Sequence, residues 1–96
     1  MREDEILAQL EATLEVYPAG YSNGEAIKTF DELLKELEQT SDAPTNLVTE
    51  KTNSVRGWVG ILYSQRKHQK HGGAETVSLY IRQDLVSLRT MILCSR

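Results

Sequence analysis

The sequence predicts an α+β fold in which two antiparallel helices pack on one face of a three- or four-stranded antiparallel sheet. Three observations carry that expectation. Apolar residues repeat at helical 3-4-3 spacing through residues 3–40. The pattern then shortens towards alternation over residues 55–63 and 76–82, segments rich in β-branched and aromatic side chains. Between these segments stands Gly72-Gly73, a pair suited to the positive φ that a returning strand requires.

The first helix follows from Leu7, Leu10, Leu14 and Tyr17, with Ile6 beside them. Glu3, Asp4 and Glu5 fall in its first turn, where the helix dipole favours anions. Pro18 and Gly20 end it. Ser22 to Glu25 then reads as a capping box, Ser22 and Glu25 each satisfying a free backbone N–H. Ile27, Phe30, Leu34 and Leu37 form the second stripe, thickened by Ala26 and Leu33. The pairs Lys28–Glu32 and Asp31–Lys35 lie one turn apart on its wet side, and "TSDAP" closes it.

The strands come next. "NLVTEK" at 46–51 forms a short first strand that turns through Asn53-Ser54. "VRGWVGILY" at 55–63 and "TVSLYIR" at 76–82 pair as a hairpin. Residues 85–94 read either as a helix, with Ile81, Leu85, Leu88 and Ile92 aligned, or as a strand; the expectation adopted is a strand. Alternation turns Val59, Ile61, Tyr63, Val77, Leu79, Ile81, Val86, Leu88 and Ile92 towards the helices, and Cys94 with them. The open face then carries Arg56, Trp58, Leu62, Ser78, Tyr80, Arg82, Leu85, Arg89, Met91 and Leu93.

One domain over residues 1–96 is expected, an acidic helical hairpin at 1–43 followed by a basic β-meander at 44–96. Ninety-six residues suit one core, since domains run to roughly 50–200 residues. Residues 1–50 hold twelve acids against three bases, a net −9, whereas residues 51–96 hold eight bases against two acids, a net +6. Such a split points either to an anionic partner or to halves that attract each other within the fold. The lone Cys94 excludes an intrachain disulfide and a multi-cysteine zinc site. "MREDEILAQL" lacks the basic and apolar regions of a signal peptide, and no apolar run approaches the ~18 residues of a membrane span. A cytoplasmic location and no membrane contact are therefore expected.

Two sets of residues are candidates for function. The open-face set, Arg56, Trp58, Tyr80, Arg82, Arg89 and Met91, has the composition of a protein interface. It fits a protein partner or a homo-oligomer; equally, it would be ordinary core if another segment covered it. Nucleic acid is the alternative, its bases stacking on the aromatics and its phosphates meeting Arg66, Lys67, Lys70, His68 and His71 of the basic loop. A winged-helix version of that alternative is disfavoured because residues 44–54 make a poor recognition helix. A third reading makes the acidic helices a mimic of nucleic acid. His68-x-x-His71 offers too few ligands for a metal, no cofactor is implied, and no motif pairs a nucleophile with a base. The chain therefore reads as a small non-catalytic adaptor or regulatory protein.

Overall fold

The computed structural model describes residues 2–19, 21–41, 45–64 and 67–94, and among them there is no strand. The elements are α1 (Arg2–Val16), α2 (Gly24–Thr40), α3 (Thr45–Leu62), a 3-10 turn (Lys67–His71) and α4 (Ala74–Cys94). Each helix packs on the next and α4 returns to α1, so the four close a ring around one core. The expected α+β sandwich is thus overturned: this is an all-helical bundle.

The first half follows its apolar spacing. Ile6, Leu7, Leu10 and Leu14 of α1 are buried against Ala26, Phe30, Leu34 and Leu37 of α2. The cap of α2 differs by one position from the expected box. Asn23, with φ −152, accepts from the Ala26 N–H at 3.1 Å, and its own N–H donates to the Tyr63 carbonyl at 3.0 Å. Asparagine is as good an N-cap as serine, and here it also fastens the start of α2 to the end of α3. Asp31 and Lys35 pair at 3.2 Å as expected.

The second half shows why the strand reading fails. Val48, Thr52, Val55, Val59 and Leu62 are buried at spacings of 4, 3, 4 and 3, which is a helical stripe. Asn53 and Ser54, read as a turn, lie inside α3. In α4 the buried stripe is Val77, Ile81, Leu85, Leu88 and Ile92. Burial of these stripes outweighs the modest strand preference of valine, isoleucine and threonine and the cost of Gly57 and Gly60 in mid-helix. The face assignments change with the period. Leu62 and Leu85, placed on the open face, are buried, while Leu79, Val86 and Cys94, placed in the core, are exposed. The objection to a helix at 44–54 falls as well, although without strands there is no wing among the described residues.

The basic stretch is not the tip of a β-hairpin. It joins two helices, and Lys67–His71 forms a 3-10 turn with His68 buried. Gly72 and Gly73 do take positive φ, 93 and 96, but they lead into α4. The Gly73 N–H donates to the His68 carbonyl at 3.0 Å, closing the turn. A Cβ on Gly72 would approach the Thr76 side chain at 3.1 Å, so this position is restricted in both conformation and space. Arg66 lies outside the described residues.

Candidate docking surface

The expected partner-binding residues separate into two groups. Trp58 and Tyr80 meet, one from α3 and one from α4, with ring centroids 4.8 Å apart and planes tilted by 48°. His71 adds an edge-on contact to Trp58 at 5.3 Å. These three rings close the seam between α3 and α4 beside the 3-10 turn, Trp58 half-buried and the other two exposed. Arg82, two residues beyond Tyr80 along α4 and so on the other side of that helix, is exposed and has no ion pair among the described residues.

The other residues are engaged within the fold. Arg56 donates from Nε to Asp31 at 2.9 Å, from Nη1 to Asn53 at 2.8 Å, and from Nη2 to Glu38. Burial opposes its charge, but the hydrogen bonds to Glu38 and Asp31 outweigh that and raise its pKa. Arg89 pairs with Glu11 at 3.4 Å, tying α4 to α1. Met91 is half-buried. Of the basic loop, Lys67, Lys70 and His71 are exposed, whereas His68 is buried with Nδ1 unpaired among the described residues. The two histidines thus differ in environment, His68 buried and His71 against Trp58, and among the described residues no group of three or more His, Cys, Asp or Glu could hold a metal.

A feature that alternation concealed lies on the outer side of α4. Leu79, Gln83, Val86, Thr90 and Leu93 succeed one another at 4, 3, 4 and 3, all exposed and none charged. The three apolar members are 56%, 60% and 52% exposed. They recur every seven residues, which is the spacing of a helix seam that receives another helix. That seven-residue repeat was the available signal. It was lost because Val77-x-Leu79-x-Ile81 combines the core stripe and the outer stripe, and two stripes on opposite faces mimic a strand.

Two depressions lie between the helices of the first half and α3. A cleft of about 250 Å³ between α2 and α3 is floored by Ile27, Phe30 and Val59 and edged by Lys28 and Arg56. It lies below the roughly 300–1,000 Å³ of ordinary ligand pockets, and its arginine is already committed to two carboxylates. A shallower groove of about 380 Å³ runs between α1 and α2, lined by Ala12, Val16, Tyr17, Thr29 and Leu33. Val16 projects from it, 71% exposed. No family model, curated protein or solved structure matches this chain. No helix among the described residues is long and apolar enough to cross a membrane.

Proposed function

We propose that the chain is a small non-catalytic adaptor or regulatory protein that docks a partner protein along the outer face of α4. The observation that carries this reading is the uncharged Leu79–Val86–Leu93 stripe, set between Tyr80 on one side and Arg82 on the other. An isolated exposed apolar side chain needs no explanation, but Leu79, Val86 and Leu93 stand in register on one helix with only uncharged Gln83 and Thr90 between them. Arg82 sets a positive charge beside this stripe, Glu75 precedes it by one turn, and Lys67 and Lys70 are exposed on the 3-10 turn that leads into α4. The complementary occupant is an amphipathic helix with an apolar seam and acidic flanks, which would bury Leu79, Val86 and Leu93 and steer in by charge. A cytoplasmic setting goes with this reading, since Cys94 is a free, exposed thiol.

The test uses the full chain and Val86→Glu as paired baits in nuclease-treated native lysate, at low and high salt. Val86 is exposed, so the variant should keep its helical circular dichroism. A protein retained by the parent chain and lost on Val86→Glu is the expected result. Equal capture by both baits overturns the reading. Capture of nucleic acid alone in untreated lysate, falling steeply with salt, would favour the nucleic-acid alternative instead.

A further inference from the structure

We infer that the acidic helical surface which fits α4 is carried by the chain itself: the α4 face of one molecule docks on the α1/α2 groove of a second copy. This rests on the reading of α4 as a docking face and names its partner. The two surfaces are complementary in both terms that matter. The α1/α2 groove is apolar, lined by Ala12, Val16 and Leu33 among others. Its margins are acidic: Glu15 stands next to Val16, and Glu25 and Glu32 stand one turn either side of Thr29. Glu15, Glu25 and Glu32 are exposed and have no ion pair among the described residues, and the same holds for Arg82 on α4.

The fold explains why these charges are left over. Internal pairing uses Arg2 with Glu36, Arg56 with Asp31 and Glu38, Lys51 with Asp84, and Arg89 with Glu11. Of the exposed charges without an ion pair among the described residues, the α1/α2 side holds Glu15, Glu25 and Glu32 against Lys28, an acidic excess. Likewise α4 with the 3-10 turn holds Arg82, Lys67 and Lys70 against Glu75, a basic excess. The ring order sets these surfaces apart: α2 touches α1 and α3, and α4 touches α3 and α1. Val16 of the groove and Leu79, Val86 and Leu93 of α4 all stay exposed within one molecule, so it is a second molecule that can join the two surfaces.

Pairing α4 with a second α4 is disfavoured by the same charges. An antiparallel seam that sets Leu79 of one copy beside Leu93 of the other would leave Arg82 of each copy without a carboxylate from the partner's stripe, which runs through Gln83 and Thr90. Docking on the acidic groove places Arg82 among carboxylates instead. Such a contact joins unlike surfaces, so it leaves one of each open and continues head to tail.

Sedimentation velocity of the full chain over a wide concentration range tests this. The parent chain should grow beyond a dimer as concentration rises, and should dissociate as salt screens the exposed charges, the screening length being about 8 Å at 0.15 M. Arg82→Glu and Glu32→Arg should each weaken association about tenfold or more, while both keep their helical circular dichroism. The two variants mixed should associate more tightly than either alone, because each supplies the surface the other lacks. A parent chain that stays monomeric throughout, or a closed dimer indifferent to Arg82→Glu, overturns the inference. If the parent is monomeric yet still captures a foreign protein that Val86→Glu loses, only the self-docking falls. If Val86→Glu changes neither capture nor association, the docking role of α4 falls with it.

Discussion

Arg56 shows most directly how a polar side chain is committed here. It reaches Asp31 and Glu38 on α2 and Asn53 on its own helix, with its side chain only 25% exposed. Alanine at this position would leave two carboxylates of α2 without their shared cation at the α2–α3 seam. The expected loss is about 1–2 kcal/mol in urea unfolding, with Arg56→Lys recovering only part, since an ammonium cannot fork to two acceptors. The same network gives an acid limb. Arg56, and after it Lys35, hold the Asp31 carboxyl below the usual carboxylate range. A depressed folded pKa contributes stability above the unfolded value that is lost as pH falls through the folded one. Stability should therefore drop below about pH 4, and Asp31→Asn should flatten that drop. Tyr63 acts at the other extreme. Burial, with a smaller contribution from Tyr17, pushes its phenol up to about 12. A raised folded pKa gives stability that is present below the unfolded value of about 10 and lost between there and about 12. Tyr63→Phe should remove this alkaline limb. At neutral pH it should cost under about 1 kcal/mol, because the hydroxyl donates to the Tyr17 carbonyl only at 3.4 Å.

At the scale of the element, α4 separates the two periodicities cleanly. Leu85 is buried and its neighbour Val86 is exposed, whereas a strand in the expected register would reverse them. Leu85→Ala should cost about 2–5 kcal/mol, as in other fully buried leucine deletions, while Val86→Ala should stay within about 0.5 kcal/mol. Equal losses at the two positions would contradict the helix. Much of the first half was legible in sequence because α1 and α2 each have one apolar stripe and a wet side full of carboxylates. In α3 and α4 the signal is mixed. α3 contains two glycines and a buried Thr52 whose hydroxyl lies 3.0 Å from the Thr49 carbonyl and 3.2 Å from Glu38. Nothing local marks that threonine as core. α4 has apolar residues on both faces, so its helical alignment of Ile81, Leu85, Leu88 and Ile92 competed with an apparent alternation. Trp58 and Tyr80 were grouped on a supposed sheet face, and they do touch, but across a helix seam. Arg56 and Arg89 were legible as cations and not as ion-paired ones, because Asp31, Glu38 and Glu11 come from other helices.

The whole molecule is a ring of neighbours in which every seam has its own polar tie: Arg2–Glu36, Arg56–Asp31, Lys51–Asp84 and Arg89–Glu11. Two of the four join the acidic half of the chain to the basic half, so part of the charge split is indeed used inside the fold. The connectivity bears on how the chain assembles. Three of the four helix seams are between consecutive elements, and only α1 against α4 closes a long loop. Local contacts of this kind cost little loop-closure entropy before they are repaid by burial, so the main folding phase should lie in the microsecond-to-millisecond range. The closing seam should form late. Glu11→Gln, which removes the acceptor of Arg89 at the edge of that seam, should then speed unfolding and leave the folding rate nearly unchanged. Asp84→Asn, in the earlier α3–α4 seam where Ser54 donates at 2.7 Å, should slow folding instead. Temperature-jump and stopped-flow kinetics on both variants check the order. The reverse partition would mean that α4 docks on α1 before it pairs with α3, and that the ring closes from its ends.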